Sequence, residues 1–365
     1  MKITLNKSNF ENILNKFQPF LEKRDSSQIT SHIYFETQDN KLLLKATDYE
    51  IGIESKIDII KKDEDGIATV NGKNILERIK SLNDGEINIE INNNSMIIKQ
   101  KRTKLILKTF NATEFNNATR FPNLNELETQ KLNIDPKVFI HSIQKVKDTI
   151  NTSNENRLPA TLGALINIKD YKCNFVAAEN RRLTLVKKDT QSIGAEISLI
   201  IPKKSLDEII KLFYDEFEIH FNQNMLFIKS NNFLFFTKLI NDKFPDYEKL
   251  IPSESKIKLE INKSDFVESI NIVKTLNTPI KVTFEKGKIN FETISNEELE
   301  YAQTDISANI DLEEPFSIGV ESKMILDFLR FSENETFFIN LNGQNQSIFL
   351  KNEDYITILA AIHLN

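Results

Sequence analysis

Near its start the chain reads Asn6-Lys7-Ser8-Asn9-Phe10, and comparable stretches follow as Asp135-Pro136-Lys137-Val138-Phe139 and Asn262-Lys263-Ser264-Asp265-Phe266. In each stretch an Asn or Asp, residue types that cap helices, precedes an apolar stripe with helical spacing. The three Phe residues lie 129 and 127 positions apart. An internal repeat with a period of about 120–130 residues is therefore predicted.

A second motif occurs in step with the first. It is the end of a strand followed by a short amphipathic helix, at residues 70–75, 201–206 and 320–325. Two repeats also close alike, with Phe121-Pro122-Asn123-Leu124 and Phe244-Pro245-Asp246-Tyr247. Each repeat is interpreted as two helices on a mainly antiparallel sheet, an α+β fold. Because this period is far longer than a solenoid unit, we expect three tandem domains, at residues 1–126, 127–252 and 253–365.

Composition limits the class of protein. The chain has 365 residues, of which 40% are hydrophobic and 27% charged, as is typical of a soluble protein with several domains. The start, Met1-Lys2-Ile3-Thr4-Leu5-Asn6, alternates like a strand and lacks the apolar run of a signal peptide. The single cysteine, Cys173, excludes an intrachain disulfide and cysteine zinc sites. We expect a cytoplasmic protein without cofactors.

The net charge of −6 disfavours nucleic-acid binding when it is taken alone, but the charge is unevenly distributed. The six predicted helices contain fifteen Lys and Arg and nine Asp and Glu, a net charge of +6, which leaves −12 on the rest of the chain. A basic helical surface on an acidic body can hold duplex DNA through sequence-independent phosphate contacts. The alternative is that these lysines only solvate exposed helix faces. The helices are predicted at residues 7–21, 71–82, 137–150, 202–213, 263–276 and 321–331.

The two ends of the chain differ in charge. Residues 99–108 read as a basic strand pair, whereas Glu297-Glu298-Leu299-Glu300 reads as an acidic strand. Opposite charges of this kind suit head-to-tail joining of two copies into a closed ring with two-fold symmetry. The alternative is two unrelated edge strands whose charges prevent aggregation.

Motifs for catalysis are not evident in the sequence. The four histidines stand in unrelated contexts without ligand spacing, and no glycine-rich phosphate loop, nucleophile elbow or metal motif occurs. Asp48 and Glu50 are paired carboxylates, but their spacing also describes the polar face of an ordinary strand. We therefore expect no catalytic residues. Two other hypotheses remain: a monomeric protein-binding scaffold, and a metal-dependent nuclease or transferase with dispersed acidic residues.

Three local stretches resemble the bacterial sliding clamp family, the β subunit of DNA polymerase III, and the resemblance spans essentially the whole chain. Thr47-Asp48-Tyr49-Glu50 resembles the family's Thr-Asp-Leu-Glu, and residues 176–183 resemble Val-Ala-Thr-Asp-Gly-His-Arg-Leu. The most specific match is Phe244-Pro245-Asp246-Tyr247, followed by Lys249, Leu250 and Pro252, which resembles Phe-Pro-Asp-Tyr-Arg-Arg-Val-Leu-Pro.

The resemblance implies a non-enzymatic homodimeric ring of six domains, with helices around double-stranded DNA. It also implies one pocket per chain for short apolar peptides. The implied partners are the catalytic subunit of the replicative polymerase, the clamp loader, repair polymerases and mismatch-repair proteins. Positions matching the family place the following residues in that pocket: Thr161, Leu162, Ala178, Asn180, Arg181, Arg182, Leu183, Pro245, Lys249, Leu250, Ile358, Ala360, Ala361 and Ile362. Aliphatic walls are expected to take a Leu or Phe side chain, and the basic rim to engage acidic or carbonyl groups.

The resemblance also implies the surfaces that face DNA and the partner copy. Arg24, Lys80 and Lys203 are expected near the DNA. The dimer interface is expected to bring Leu105 and Leu107 of one copy against Ile272 and Val273 of the other. The charged residues expected to flank it are Lys101, Arg102, Lys104, Glu297, Glu298 and Glu300.

The sequence departs from the family at the tail and at two other places. Ala360-Ala361-Ile362-His363 stands where family members carry a Met-Pro-Met-Arg-like end, and Lys249 replaces an Arg. Residues 25–29 replace a Pro-rich turn. Because Ala in place of Met removes a flexible thioether that adapts to different ligands, we expect an altered peptide preference.

Overall fold

The structure is a computed structural model that describes residues 1–92, 94–150, 158–190, 196–252, 254–275, 279–294, 301–343 and 346–364. Up to residue 147 its strands and helices are, in chain order, β1 (Lys2–Asn6), α1 (Lys7–Phe17), β2 (His32–Gln38), β3 (Lys41–Thr47), β4 (Ile51–Asp58), β5 (Lys61–Glu64), β6 (Ile67–Asn71), α2 (Gly72–Lys80), β7 (Glu86–Asn92), β8 (Ser95–Gln100), β9 (Thr103–Phe110), α3 (Ala112–Thr119), β10 (Gln130–Leu132) and α4 (Pro136–Lys147).

After residue 147 the elements are β11 (Gly163–Lys169), β12 (Lys172–Glu179), β13 (Arg182–Asp189), β14 (Ile197–Pro202), α5 (Lys203–Leu212), β15 (Glu218–Phe221), β16 (Met225–Lys229), β17 (Phe233–Lys238), β18 (Ile257–Asn262), α6 (Lys263–Val273), β19 (Pro279–Glu285), β20 (Lys288–Thr293), β21 (Gln303–Ser307), β22 (Phe316–Glu321), α7 (Ser322–Phe331), β23 (Thr336–Leu341), β24 (Ile348–Asn352) and β25 (Tyr355–Leu359). No helix in the described ranges is long and apolar enough to cross a membrane.

These elements form two compact units, and the first consists of Met1–Lys137 and Asp207–Leu239. It contains a 13-stranded sheet with the order β10-β15-β16-β17-β4-β3-β2-β6-β9-β8-β7-β1-β5. Its described strand pairs are antiparallel, as the sequence predicts. The hairpins β15–β17 enter this sheet because β17 pairs with β4, with Thr237 opposite Ile51.

The second unit consists of Val138–Leu206 and Ile240–Asn365. It contains an eight-stranded sheet, in the order β14-β11-β12-β13-β25-β24-β23-β18, and a four-stranded sheet, in the order β21-β20-β19-β22. The pairing of β13 with β25 places Leu183 opposite Ile358. This strand pair is the base of the site described below.

The predicted repeat is visible in the core. Phe10, Phe139 and Phe266, the three residues that mark the repeat, are each completely buried. Each lies against a Phe of a strand: Phe10 against Phe35 at 6.0 Å between ring centroids, Phe139 against Phe175 at 6.0 Å, and Phe266 against Phe291 at 4.9 Å. The same aromatic contact therefore recurs in each repeat between the first helix and the sheet.

The helix starts also follow the sequence. Oδ1 of Asn6 accepts a hydrogen bond from the main-chain N–H of Asn9 at 3.0 Å, and Oδ1 of Asn262 accepts one from Asp265 at 3.2 Å. Asp135 accepts one from Lys137 at 2.8 Å. The predicted capping residues are confirmed, because each of them satisfies a helix N–H that has no main-chain partner.

The described residues contain a helix that the sequence reasoning did not predict. Helix α3 begins after the capping residue Asn111, whose Oδ1 accepts a hydrogen bond from Thr113 at 3.0 Å. Only Ala112 and Phe115 of this helix are buried, in a cluster with Tyr34. Two apolar residues are too few to form the stripe by which the other six helices were recognised.

Candidate functional site

The candidate site is an apolar surface on the sheet of the second unit. Leu183 of β13 and Ile358 of β25 lie opposite each other and belong to one buried cluster. The other buried members of the cluster are Ala160, Leu165, Val176, Leu185, Ile200, Phe244, Tyr247, Phe349 and Ile356, and Ala178, Ile240 and Ile251 pack against it. Of the residues predicted for the pocket, Ala178, Leu183 and Ile358 thus meet in a single cluster.

The segment at residues 244–250 borders this cluster. Tyr247 is buried, and its hydroxyl accepts a hydrogen bond from Nδ2 of Asn174 at 3.0 Å and donates one to Oδ1 of Asn167 at 3.3 Å. Burial raises the pKa of Tyr247, so the hydroxyl stays protonated and holds the turn against the sheet. Leu250, in the short 3-10 turn that follows, leaves 56% of its surface exposed. A large exposed aliphatic side chain beside an apolar cluster is a contact that a ligand can cover.

A second 3-10 turn, Pro159–Leu162, contributes two more predicted residues. Oγ1 of Thr161 donates a hydrogen bond to the carbonyl of Leu158 at 2.9 Å, and Thr161 is buried. Leu162 is half-buried, whereas Leu158 leaves 62% of its surface exposed. Leu158 was not predicted as a site residue. Its signal in the sequence is an apolar residue immediately before the Pro that starts the turn.

The tail of the chain lies along a neighbouring strand edge. The main-chain N–H of Ala360 donates to the carbonyl of Arg181 at 2.9 Å, and that of Ile362 donates to the carbonyl of Gly319 at 2.8 Å. A Cβ atom at Gly319 would lie 2.6 Å from the carbonyl oxygen of Ile362, so only glycine permits this approach. Ala360 is exposed, and Ala361 and Ile362 are half-buried. The tail is therefore fixed beside Leu183 and Ile358 by two main-chain hydrogen bonds.

The structure corrects the sequence-based interpretation of Arg182 as part of an open basic rim. Arg182 is only 8% exposed. Its Nη1 lies 3.0 Å from Oδ2 of Asp327 and its Nε lies 3.3 Å from Oε1 of Glu179, while Nη2 donates to the carbonyl of Asp148. Because side chains alternate along a strand, Arg182 faces the side of β13 opposite to Leu183. It is a buried ionic link and not part of the rim.

Lys249, the next predicted basic residue, is exposed but has a partner. Its Nζ lies 2.7 Å from Oδ2 of Asp246. This hydrogen bond raises the pKa of Lys249 and lowers the pKa of Asp246. Asn180 and Arg181 occupy the turn between β12 and β13 and are exposed. Of the three basic residues predicted for the rim, Arg181 alone has its charge open to a ligand, as far as the described residues show.

A charged cavity of about 680 Å³ adjoins Arg181 and Arg182 in the second unit. No local sequence pattern indicates this cavity, because its residues come from distant parts of the chain. Its lining residues are Asp148, Ile150, Glu179, Arg181, Arg182, Lys203, Glu321, Lys323, Met324, Asp327 and Arg330. Arg330 and Asp148 form an ion pair in its wall. We refer to it below as the charged cavity.

The three residues predicted to face DNA differ in solvent exposure. Arg24 is exposed, and its main-chain N–H donates to Oε1 of Glu22. Lys80 is exposed at the end of α2. Lys203, the first residue of α5, is half-buried, and its Nζ donates to the carbonyl of Lys147 at 2.9 Å. Their role toward DNA stays a prediction.

The strand β9, predicted for the dimer interface, has one edge that lacks a partner strand over most of its length in the described part of the chain. It pairs with β8 along its length, but with β6 only at Thr109 and Phe110. Lys101 and Arg102 form the turn before it, Lys104 is exposed, and Leu105 is half-buried. Leu107 is only 7% exposed, whereas Ile106 exposes 60% of its surface. The alternation of the strand therefore turns Ile106 outward, a residue that the sequence reasoning passed over.

In the second unit the predicted interface residues also divide into buried and exposed. Ile272 of α6 leaves 47% of its surface exposed, whereas Val273 is completely buried and packs in its own core. The neighbouring strand β21 is at the end of the four-stranded sheet. Glu297, Glu298 and Glu300 lie outside the described residues.

The titratable residues do not form a metal site in the part of the chain that the structure describes, since no three His, Cys, Asp or Glu side chains are grouped to hold an ion. Cys173 is buried, and burial raises the pKa of its thiol to about 12, which keeps the thiol unreactive at neutral pH.

His32, in the first unit, is 1% exposed, and burial lowers the pKa of its imidazole.

Comparisons with known proteins agree with this architecture. Three family models match in tandem, described as the N-terminal, central and C-terminal domains of the DNA polymerase III beta subunit, over residues 1–119, 133–246 and 248–362. The chain is 34% identical to the beta sliding clamp of Helicobacter pylori strain J99, over 96% of this chain and 94% of that protein. It is 25% identical to the beta sliding clamp of Staphylococcus epidermidis, over 97% of this chain and 96% of that protein.

Solved structures show the same likeness. The crystal structure of the Helicobacter pylori beta clamp bound to a DNA ligase peptide is 31% identical, with a TM-score of 0.91 and complete coverage of both chains. The DNA polymerase III beta subunit of Pseudomonas aeruginosa, at 20% identity and a TM-score of 0.87 with complete coverage of both chains, shares the fold. The described chain is thus similar to three tandem clamp domains along its whole length.

Proposed function

Since the chain belongs to the DNA polymerase III beta subunit family, the beta sliding clamps, we propose that it encircles duplex DNA and tethers partner proteins to it. A ring that surrounds DNA stays on by topology, so it needs neither base contacts nor a high affinity for DNA. It acts without catalysis in the cytoplasm, as a processivity factor. The three domains meet near residues 126 and 252.

The observation that carries the proposal is the apolar surface formed by β13, β25 and the tail. Leu183 and Ile358 provide a buried apolar floor, and Leu250 provides an exposed aliphatic rim. Such a surface suits a short peptide with Leu and Phe side chains, because a few aromatic and aliphatic residues supply most of the free energy of such binding. The DNA ligase peptide bound by the Helicobacter pylori clamp supports a ligand of this class.

The partners proposed for this surface are the catalytic subunit of the replicative polymerase, the clamp loader, repair polymerases and mismatch-repair proteins. The side chains of Ala360 and Ala361 are smaller than those of a Met-containing tail, so the tail can make fewer contacts with a bound peptide. Affinity is expected to depend more on the segment at Pro245 and Leu250.

The test is fluorescence polarisation of a labelled peptide that carries Gln, Leu and Phe. Binding in the micromolar range corresponds to about −8 kcal/mol at 1 μM. Leu250→Asp should abolish this binding without unfolding the protein, because the side chain is 56% exposed. Ile60→Asp is the matched control, since Ile60 is 52% exposed and belongs to the first unit.

Leu183→Asp places a charge in the apolar floor of the pocket and should also abolish peptide binding. Equal affinity for the wild type and Leu250→Asp would reject the pocket assignment, and loss of binding in Ile60→Asp would show an unspecific effect of the new charge.

We further propose that two chains close the ring by joining the open edge of β9 to the edge of β21. Within the ranges that the structure describes, each of the two strands has an edge with no partner strand along most of its length, and exposed strand edges bind other strands. Ile106, at 60% exposure, and Ile272, at 47%, lie at these two places and would be covered in the dimer. The basic turn at Lys101 and Arg102 and the acidic segment with Glu297, Glu298 and Glu300 would add opposite charges.

The test of the ring is the mass in solution. Wild-type protein should have twice the mass of one chain in analytical ultracentrifugation, and Ile106→Asp should shift it to a monomer at micromolar concentration. Ile67→Asp, at a residue of similar exposure (46%) on β6, is the control. A monomeric wild type would reject the ring and favour a scaffold that never encircles DNA.

The contribution of charge to DNA binding is tested at Lys80 and Lys203. Their replacement by Glu should shorten the retention of the loaded ring on nicked circular DNA, with the dimer intact, and the effect should weaken at high salt. Loss of dimerisation in these variants would show that Lys80 of α2 and Lys203 of α5 lie at the dimer interface and do not face DNA.

A further inference from the structure

The first unit contains a strand pair that corresponds to the floor of the proposed peptide pocket. In the second unit β13 pairs with β25, and the Phe-Pro segment at residues 244–247 borders that pair and ends in a 3-10 turn. In the first unit β4 pairs with β17, and the Phe-Pro segment at residues 121–124 leads into the 3-10 turn Leu124–Glu126. The ring of Phe121 packs on that of Phe236 in β17, at 5.1 Å between centroids. The same arrangement therefore occurs twice in the chain.

A groove with a volume of about 610 Å³ lies at this place in the first unit, between residues 122–125 and a face of the sheet. Lys45 of β3 is opposite Glu54 of β4, and Glu54 is opposite Leu234 of β17. Leu234 is in turn opposite Lys229 of β16. Because opposite residues of neighbouring strands point to the same face, these four side chains form one row across the floor. We refer to this site as the polar groove.

The polar groove differs in chemistry from the peptide pocket. The floor of the pocket is apolar, with Leu183 opposite Ile358. In the first unit Gly52 of β4 is opposite Phe236 of β17, and a Cβ atom on Gly52 would lie 2.2 Å from the Phe236 ring. The ring of Phe236 therefore covers Gly52 and fills the space that an apolar side chain of a ligand would need. A ligand of the polar groove must bind by other contacts.

The acidic residues that line the polar groove are both paired with lysines. Oε2 of Glu54 lies 3.3 Å from Nζ of Lys45. Oδ1 of Asp58 lies 3.7 Å from Nζ of Lys41. These two ion pairs neutralise each other and leave no carboxylate of the groove without a lysine partner.

Two further lysines of the polar groove, Lys56 and Lys229, are exposed. Neither of them has a carboxylate oxygen within 4.0 Å of its Nζ among the residues that the structure describes. Glu218, the neighbour of Lys229 on β15, is bound by Lys131 at 2.6 Å. The groove therefore has two positive charges that a negatively charged ligand can neutralise.

We infer that the polar groove binds an extended acidic peptide segment, with one carboxylate at Lys56 and another at Lys229. Lys56 is two residues from Glu54 along β4, and Lys229 is in the same row as Glu54 but two strands away. With the usual rise along a strand and the usual spacing between strands, the Cα atoms of Lys56 and Lys229 are roughly 12 Å apart. An extended peptide covers about 13 Å in four residues, so the two acidic residues are expected about four positions apart.

The residue midway between the two acidic ones points to the same side of an extended peptide. It faces the floor of the polar groove, where Leu234 and Leu124 are half-buried. An aliphatic side chain at this position would cover both. The inference goes beyond the proposed function, because this site lies in the first unit and does not involve the pocket on β13 and β25.

The polar groove suits a peptide better than a single strand of DNA. Proteins that bind single strands without sequence preference stack the bases on aromatic side chains. Of the residues that line the groove only Phe233 is aromatic, and it is 6% exposed. A strand also carries a phosphate at every nucleotide, so that one of them would approach Glu54 between the two lysines. An acidic peptide places its negative charges at the two lysines alone.

The test is fluorescence polarisation of short labelled peptides with the full-length protein. The first peptide carries Glu, Leu and Glu at alternate positions in a Gly and Ser background, the second carries Gln in place of both Glu, and the third carries the two Glu side by side. At low salt the first should bind about 5-fold tighter than the second, because it gains two exposed ion pairs. The preference should shrink as salt is added. The double variant Lys56→Gln with Lys229→Gln should lose it.

The double variant Lys23→Gln with Lys73→Gln is the matched control, since it removes two exposed lysines of the same unit that lie outside the polar groove. This control should keep the preference for the first peptide. Loss of the preference in the control, or its persistence in the variant of Lys56 and Lys229, would overturn the inference. Equal binding of the spaced and the adjacent Glu peptides would also overturn it, because charge alone would then explain the attraction.

The variant Leu250→Asp separates this site from the peptide pocket. It should abolish binding of the peptide with Gln, Leu and Phe and leave binding of the spaced Glu peptide unchanged. Loss of both would place the acidic peptide in the pocket and overturn the inference, whereas binding of the spaced Glu peptide alone to the wild type would reject only the pocket. A labelled oligothymidylate that binds more tightly than the Glu peptide and depends on Lys56 and Lys229 would assign the groove to phosphate and overturn the inference.

Discussion

Replacement of Arg182 by Met should destabilise the second unit strongly. Arg182 is 8% exposed and joins three groups: Asp327 at 3.0 Å, Glu179 at 3.3 Å and the carbonyl of Asp148. The side chains of Glu179 and Asp327 are themselves only 10% and 19% exposed. Met fills much of the volume of Arg without its charge, so the loss reports the ionic contacts and not a cavity.

The magnitude follows from the burial of the partners. Removing one member of a buried ion pair leaves an uncompensated charge and costs about 3–5 kcal/mol. Here one lost cation removes a contact from each of two largely buried carboxylates, so we expect the upper part of this range. Arg330→Met is the control, because its pair with Asp148 is more than half exposed on the Arg side. Exposed pairs contribute about 0–1 kcal/mol.

The assay is urea denaturation followed by circular dichroism, with the free energy of unfolding compared among the wild type, Arg182→Met and Arg330→Met. The double variant Arg182→Met with Asp327→Asn should recover part of the loss, since it removes the charge of one of the two carboxylates that contact Arg182. A cost below about 1 kcal/mol for Arg182→Met would refute the reasoning, because that value is typical of an exposed pair.

Three further changes have outcomes that the structure specifies. Gly319→Ala should displace the tail and weaken peptide binding, because the new Cβ would lie 2.6 Å from the carbonyl oxygen of Ile362; unchanged polarisation titrations and proteolysis of the tail would contradict this. Gly52→Ala should cost about 1–3 kcal/mol, since its Cβ would lie 2.2 Å from the ring of Phe236, and thermal unfolding measures the cost. Burial lowers the pKa of His32 below 6.5, so the unfolded chain binds a proton that the folded chain excludes, and stability should fall as the pH drops below 6.5. His32→Phe should reduce this loss in denaturation at pH 5 relative to pH 7.5, and an unchanged pH dependence would be the contrary result.

The sequence was informative where structure depends on local pattern. The capping residues Asn6, Asp135 and Asn262, with the buried Phe that follows each, depend only on neighbouring residues, and they predicted both the helices and the threefold repeat. Helix α3 was not predicted because its buried face consists of two residues, Ala112 and Phe115. Its formation depends on packing against Tyr34 in the tertiary structure.

The site was predictable in its apolar part and less so in its charged part. Leu183 and Ile358 follow from the pattern that resembles the family, and the structure places them opposite each other. The direction of Arg182 depends on the register of β13, and its partner Asp327 is 145 residues away along the chain. Neither a register nor such a distant pair can be read from local composition. The charged cavity escaped prediction for the same reason.

The pairing of β4 with β17 has a consequence for synthesis of the chain. Ile51 leaves the ribosome long before its partner Thr237, and the whole segment from Val138 to Leu206, which belongs to the other unit, is made in between. During that interval the edge of β4 has no partner strand and is exposed to association with other nascent chains. A fragment that stops near residue 126 would never gain this partner strand, so the first repeat expressed alone is expected to aggregate. In the full chain, slower translation of the segment before Thr237 should lengthen the time during which chaperones must protect this edge.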